Sequence, residues 1–525
     1  MKKYILSIIV AGFALCTGLT SCVGDLDVTP IDPNLTLPED VLDSEAAFEQ
    51  VLAKCYASLA VSSSSGPDAS PDIDGVDGGF GQYVRALFYM NELPTDEALI
   101  CWNDQTVYNM HNLCWTSSDI FVTAMFSRIY YQIALCNEFL RRAKVSEFAE
   151  SATMKTYMAE ARALRALSYY HAIDMYGNVP MATEDNSIGA TGPAQIMRAD
   201  LFNWLVDEIN AFKGDLKPVG QNEYGRADQG LAMMLLAKLY LNTEVYAGVN
   251  KFNECATVCK EIMNAYGALT SNYSYLFMAD NNLWTNEIIF AIQQDAVNTQ
   301  SYGATTFLIK ASIVSGNDAW QDFLGVNDGW GGAVVTPEFI NTFDDSDARK
   351  MFFDGGDFVN DDGRHTFEIN DYKVFLNGYT QYKFSNRTHD GGYGAAKNFV
   401  DTDFPVFRTA DAYLMLAEAV KRGATTATEA EALAAYNAVH TRAGLTAVTS
   451  ITLDDVFEER GRELYWECHR RSDLVRFGKL TTDSYLWSWK GGEHQGKAVD
   501  SKFNLMPIPV SETNANSQLV QNTGY

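Results

Sequence analysis

Helical periodicity in two separate stretches constrains the fold of this chain most. The clearest pattern covers 153–176, where Ala, Leu, Glu and Arg dominate, the residues with the highest helix propensity. Gly177 then ends this helix, and Pro180 prevents it from resuming. The first stretch predicts helices at about 44–60, 119–144, 153–176, 198–213, 228–247 and 250–266.

A second helical stretch lies near the C-terminus. Residues 411–421 and 428–442 predict two helices within about 34 residues, the length of a tetratricopeptide unit. A third helix begins at Thr452, with Asp455 completing a capping box. The chain therefore predicts a mainly α fold, with a tetratricopeptide-like scaffold at 41–270 and 406–480.

The segments between these helices have a different composition. Gly, Asn, Asp and aromatic residues dominate 270–405, and 60–82 is also typical of loops. The few strand candidates are short, at 287–292 and 382–384. Binding residues usually lie in loops on a rigid scaffold, so a ligand-binding region is expected at about 60–115 and 270–405.

The N-terminus predicts export and lipidation. Lys2 and Lys3 precede an apolar run at 5–15, and Cys22 follows Leu19-Thr20-Ser21 in the pattern of a bacterial lipobox. We therefore expect a signal peptide at 1–21, acylation of Cys22 and a tether at 22–40 before one domain at 41–525. The alternative is an ordinary signal peptide with an incidental cysteine.

Charge and motifs exclude several functions. With 39 basic and 67 acidic residues, the net charge of −28 argues against partners bound through phosphates or anionic lipid. Nucleophile-elbow, zinc-helix and phosphate-loop motifs are missing from the sequence, so a protein without enzymatic activity or a required cofactor is expected. A glycosidase carboxylate pair stays open, because its separation is spatial and not sequential.

Three oxygen-bearing side chains form one candidate metal site. Asp401 and Asp403 could join Asn282, in the turn at 280–282, as oxygen ligands of a structural Ca²⁺. The alternative is two exposed turns without a metal.

Aromatic residues in the loops favour a carbohydrate ligand. Sugar rings stack on aromatic faces, while their hydroxyl groups need placed polar partners. Trp330 stands in the glycine-rich run 327–332, which is difficult to bury. The other candidates in or beside the loops are Trp102, Trp115, Tyr302 and Trp320.

Ordered motifs run along the chain at 160–166, 176–180, 407–419, 442–444, 459–460, 463–464, 470–478, 507–509 and 521–525. These motifs resemble those of the SusD/RagB-type outer-membrane nutrient-binding lipoproteins. The family commonly has glycine where this chain has Cys468. The resemblance implies a tetratricopeptide surface that packs on a SusC-like TonB-dependent transporter at the cell surface.

Within the family, segments 70–75, 91–97 and 485–492 are most similar to starch-binding members. The similarity implies a starch-like α-glucan as ligand, captured and delivered to the transporter. A different glycan, a surface glycosidase and a purely structural protein are the alternatives.

The same similarity assigns roles to single residues. It implies that Asp77 and Arg85 hydrogen bond to glucose, and that Tyr302 and Trp330 form part of an aromatic arc. Two positions depart from the starch binders, and a third is ambiguous. Ile100 stands where an aromatic residue is expected, Gln105 stands where those proteins have asparagine, and Trp102 could either replace the missing ring or belong to the core.

Overall fold

Helices form most of the regular structure. The computed structural model describes residues 42–186, 189, 192–314, 316–354 and 365–525. The predicted signal peptide, Cys22 and the tether lie outside these residues. The chain divides into two units, residues 1–49 and 50–525, and everything described below belongs to the second unit apart from the start of the first helix.

Seventeen α-helices occur in the described part of the chain. They are α1 (Glu45–Ala60), α2 (Tyr83–Asn91), α3 (Gln105–His111), α4 (Ile120–Val145), α5 (Ala152–Met175), α6 (Arg198–Phe212), α7 (Gln229–Leu241), α8 (Thr243–Ala247), α9 (Phe252–Tyr266), α10 (Ala304–Lys310), α11 (Asp318–Leu324), α12 (Pro337–Ile340), α13 (Thr409–Lys421), α14 (Glu429–Arg442), α15 (Leu453–Leu464), α16 (Arg470–Arg476) and α17 (Val510–Ala515).

The long helices pack against one another, which confirms the mainly α prediction. In the first stretch α4 packs on α5, and α5 on α6. Helix α9 packs on both α7 and α13, which joins the two helical stretches, and α13 continues onto α14 and α15. Both C-terminal N-caps form capping boxes, Thr428 with Glu431 and Thr452 with Asp455.

One predicted helix is divided in two. The pattern at 228–247 gives α7 and α8, which meet at Asn242. The Asn242 side-chain amide donates to the carbonyl of Lys238 at 2.9 Å, and such local bonds compete with a continuous helix.

Eight short strands pair two by two. They are β1 (Leu99–Ile100), β2 (Val179–Pro180), β3 (Gln195–Ile196), β4 (Ile288–Ile292), β5 (Ala333–Val334), β6 (Phe352–Phe353), β7 (Thr380–Gln381) and β8 (Phe404–Arg408). All four pairings, β1–β5, β2–β3, β4–β8 and β6–β7, are antiparallel within the described residues.

The two strand predictions have different outcomes. The one at 287–292 is confirmed by β4. The one at 382–384 is wrong, because pairing ends at Gln381 and its side chain accepts the amide of Phe384 at 3.2 Å.

Buried ion pairs hold the C-terminal helices to β4 and β8. Arg408, fully buried, contacts Glu287 at 2.8 Å, Glu463 at 2.9 Å and Glu467 at 2.7 Å. The arginines and glutamates of the C-terminal motifs are thus structural, and Cys468 adopts φ 66°, in the region that favours glycine. Among the described residues, none of the helices is long and apolar enough to cross a bilayer.

Candidate functional site

An open pocket of about 580 Å³ brings five of the six predicted ligand-binding residues together. One wall is the loop from Pro67 to Gly79, and the opposite wall carries aromatic residues from three distant segments. The five predicted residues that line it are Asp77, Arg85, Trp102, Tyr302 and Trp330.

Arg85 lies at the centre of the aromatic wall. Its Nε donates to the hydroxyl of Tyr89 at 2.8 Å, and its Nη1 donates to the carbonyl of Tyr302 at 2.8 Å. The guanidinium carbon lies 5.4 Å from the ring centre of Trp102 and 5.8 Å from that of Trp330. Such cation–π contacts fix the arginine and leave its remaining N–H groups as donors beside two indoles.

Gln82 determines where Arg85 stands. It is the N-cap of α2, and its Oε1 accepts the amides of Arg85 at 3.0 Å and Ala304 at 2.9 Å. Its Nε2 donates to the carbonyls of Leu59 and Ala60, at 2.8 and 3.1 Å. One buried amide therefore joins the end of α1, the start of α2 and the start of α10.

Asp77 is held at the tip of its loop by backbone bonds. Its Oδ1 accepts the amides of Gly79 at 2.8 Å and Phe80 at 3.0 Å, so that Oδ2 is left for a ligand. Beneath the loop, the buried Arg128 pairs with Asp72 at 2.7 Å and donates to the carbonyl of Gly81. The loop is thus anchored from inside the protein.

Trp102, and not position 100, supplies the third aromatic ring. Ile100 is fully buried in β1, where it pairs with Ala333. Trp102 is half-buried and donates through Nε1 to the carbonyl of Gly331 at 2.9 Å. Gly332 has φ 91°, and a Cβ there would lie 2.8 Å from Nε1 of Trp102. Of the two roles that the sequence left open for Trp102, its place in the pocket lining fits the replacement of the ring missing at Ile100.

Tyr302 and Trp330 complete the aromatic wall. Their ring centres are 6.2 Å apart at an angle of 61°, so the two faces form a bent surface. The Tyr302 hydroxyl donates to Asp68 at 3.0 Å. Partial burial, with a smaller contribution from Asp68, raises the pKa of Tyr302, and its hydroxyl is protonated at neutral pH.

Other predicted residues lie elsewhere. Gln105 is exposed at the start of α3, donates to Asn109 at 2.9 Å and does not line the pocket. Trp115 and Trp320 are buried in the core. Sequence reasoning missed Asp68, whose position in a loop rich in Ser, Gly and Pro gave no signal of its contact with Tyr302.

The two carboxylates of the predicted calcium site accept hydrogen bonds from backbone amides. Asp403 accepts the amide of Gln294 at 2.7 Å, and Asp401 accepts that of Ala296 at 2.8 Å. Burial raises the pKa of Asp403 to about 7, which disfavours the charged ligand that Ca²⁺ needs.

The asparagine that contacts Asp403 is the neighbour of the predicted one. Asn281, and not Asn282, hydrogen bonds to the Asp403 backbone. No cluster of three acidic, histidine or cysteine residues suited to a metal occurs in the described ranges. Calcium at Asn282, Asp401 and Asp403 stays a prediction, and this geometry does not favour it.

Comparison with known proteins decides the family. A model described as the SusD family matches residues 351–525. The starch-binding protein SusD of Bacteroides thetaiotaomicron is 34% identical, and the match covers 100% of this chain and 99% of that protein. The chain belongs to the SusD family.

Solved structures agree on the SusD fold. A SusD superfamily protein from Parabacteroides distasonis has a TM-score of 0.72 at 22% identity, over 92% of this chain and 99% of its own. Surface glycan-binding protein A of Bacteroides thetaiotaomicron, in complex with laminarihexaose, has a TM-score of 0.69 at 21% identity, over 91% of this chain and 99% of its own. The predicted family and fold class are confirmed.

Proposed function

We propose that this SusD-family protein is a glycan-binding lipoprotein of the cell surface, with a starch-like α-glucan as ligand. The observation that carries the proposal is the pocket in which Trp102, Tyr302 and Trp330 surround Arg85 and face Asp77. The relative named as starch-binding, identical at 34% of positions over the whole chain, supports the α-glucan.

The chemistry of the pocket fits a neutral sugar. The apolar face of a glucose ring can stack on an indole or phenol, and each hydroxyl group needs one donor or acceptor. Arg85 offers donors, Asp77 offers an acceptor, and the Tyr302 hydroxyl is held by Asp68. The bent surface of Tyr302 and Trp330 suits the curved face of a helical α-glucan better than a flat chain.

The same pocket argues for binding without hydrolysis. A glycosidase needs a carboxyl group that keeps its proton near neutral pH, usually through burial in an apolar site. The two carboxylates that line this pocket, Asp68 and Asp77, are both exposed. Incubation with maltoheptaose should therefore release no shorter sugars, and multiple-turnover hydrolysis would contradict this assignment.

Anchoring and delivery belong to the same proposal. Acylated Cys22 would hold the protein to the outer membrane, and the helical scaffold would pack on a SusC-like transporter that receives the glycan. Replacing Cys22 by Ala should move the protein from the membrane fraction to the soluble fraction. Co-purification of a TonB-dependent transporter with the tagged protein tests the partner.

Binding itself is tested at Trp330. Trp330→Ala removes one stacking face, worth about 0.5–1.5 kcal/mol, so the Kd for maltoheptaose in calorimetry should rise about 2- to 13-fold. Trp284→Ala is the control, because Trp284 is half-buried and stacks on Tyr275 at 5.0 Å outside the pocket.

A panel of glycans tests specificity. Maltoheptaose and amylopectin should bind more tightly than laminarihexaose. Preference for laminarihexaose would keep the glycan-binding role and reject the α-glucan, whereas equal weakening by both tryptophan variants would reject this pocket.

A further inference from the structure

Two apolar side chains are exposed at the tip of a loop beside the pocket. Val374 is 43% exposed and Phe375 is 37% exposed, and neither lines the pocket itself. A phenylalanine exposed beside a ligand site offers a flat apolar face on which a sugar ring can stack.

The loop that carries them is ordered by its own hydrogen bonds. The amide of Val374 donates to the carbonyl of Asp371 at 3.1 Å, and the amide of Asn377 donates to that of Val374 at 3.0 Å. The side chain of Asn377 also accepts the amide of Asp371 at 3.0 Å. The tip is therefore a tight, preformed turn.

Phe375 continues the aromatic wall of the pocket. A Cβ on Gly331 would lie 3.2 Å from Cδ1 of Phe375, and one on Gly332 would lie 3.2 Å from Cε1 of the same ring. The Cβ added at Gly332 would also lie within 2.9 Å of two atoms of Trp102. Phe375 and Trp102 are thus neighbours across Gly332, with no side chain between them at that point.

Lys373, two positions before Phe375 in the same loop, faces α3. The Nζ of Lys373 lies 5.2 Å from the ring centre of Tyr108. Tyr108 follows Gln105 by three positions on α3, so that the two residues share a helix face. Gln105, exposed and outside the pocket, thus lies one helical turn from the ring that Lys373 faces.

We propose that Phe375 forms an outer sugar-binding subsite, with Lys373 and Gln105 as its hydrogen-bonding groups. It takes the glucose units of a chain that extends out of the pocket past Gly332. This inference rests on the proposed function and adds chain-length dependence to it. Continuity with Trp102 makes a glycan the occupant that this surface fits.

The test compares short and long ligands. Phe375→Ala should weaken binding of maltoheptaose and amylopectin about 2- to 13-fold, the effect of one stacking contact. Maltotriose, which the pocket alone can hold, should bind within about twofold of wild type. Phe375→Leu keeps apolar packing on the two glycines but removes the flat face, so it should show the same loss for long ligands. Calorimetry and affinity electrophoresis measure these changes.

A matched control is available in the chain. Phe323→Ala makes the same change at a phenylalanine that is 43% exposed and stacks on Trp320 away from the pocket. This variant should bind all of the ligands with the affinity of the wild type.

Each result has one meaning. If Phe375→Ala weakens the binding of maltotriose and of maltoheptaose equally, or weakens neither, the outer subsite is refuted while the proposed function stands. If the loss appears in transporter binding and not in glycan binding, the tip is a protein contact and the inference fails. If the wild type binds no glucan, the proposed function and this inference fall together.

Discussion

Gly332→Ala tests whether the position of Trp102 depends on the missing side chain at residue 332. Gly332 has φ 91°, where an L-residue costs about 1–2 kcal/mol. The new Cβ would also lie 2.8 Å from Nε1 and 2.9 Å from Cδ1 of Trp102, closer than carbon and nitrogen can approach. The indole must therefore move.

The displacement has two separate costs. Moving the indole breaks its hydrogen bond to the carbonyl of Gly331, which contributes about 1 kcal/mol to stability. It also removes one stacking face, so that the affinity for maltoheptaose should fall about 2- to 13-fold. The free energy of unfolding should decrease by about 2–3 kcal/mol in total.

Gly391→Ala separates the backbone effect from the displaced ring. Gly391 has φ 89°, and nothing lies within 4 Å of the Cβ that alanine would add. Urea denaturation should show a loss of only about 1–2 kcal/mol for this control, and calorimetry should show unchanged glycan affinity. If Gly332→Ala matches the control in both measurements, the placement of Trp102 does not depend on Gly332 and the reasoning is refuted.

Three further outcomes are expected. Burial, strengthened by nearby Glu97, raises the pKa of Glu92 well above its usual range, so the wild type should lose up to about 1.4 kcal/mol of stability per pH unit above about pH 5. Glu92→Gln cannot titrate, so its Tm should exceed that of the wild type by more at pH 8 than at pH 5; an equal difference at both would contradict the burial argument. Asp72→Asn leaves the buried Arg128 without a charged partner and should lower the free energy of unfolding in urea by about 3 kcal/mol. It should also weaken glycan binding, and unchanged binding would show that this pair does not hold the pocket loop. Cys114 is the one exposed cysteine in the described part of the chain. A form of the protein that begins at residue 23 should therefore react with one maleimide per chain, as measured by mass spectrometry. Further labelling without denaturant would contradict the burial of the other thiols.

The helical scaffold was predictable because its signal is local. Residues 153–176 carry strong helix formers between Ser151, which caps the helix, and Gly177, and α5 occupies Ala152–Met175. The short helices α10 and α11 were not predicted, since seven residues show too little periodicity to stand out from a loop.

The site was predictable only in part. The similarity to starch binders assigned Asp77, Arg85, Tyr302 and Trp330, and the structure places all four around one pocket. The similarity did not decide the role of Trp102, because that role depends on whether residue 100 is buried. Ile100 is buried where β1 pairs with β5, and the two strands are more than 200 residues apart in the chain. Tertiary pairing of this kind leaves no trace in the periodicity of either segment.

The four side-chain hydrogen bonds of Gln82 have a consequence for how the protein folds. One of them spans 222 positions of the chain, since the Gln82 side chain accepts the amide of Ala304. Contacts between such distant segments form late, because a long loop must close before they add any stability. During refolding, the helices of the scaffold should therefore appear in circular dichroism before the protein can retain a polysaccharide. Ligand capture would then report the completed chain topology, a stricter criterion of correct assembly than helix content.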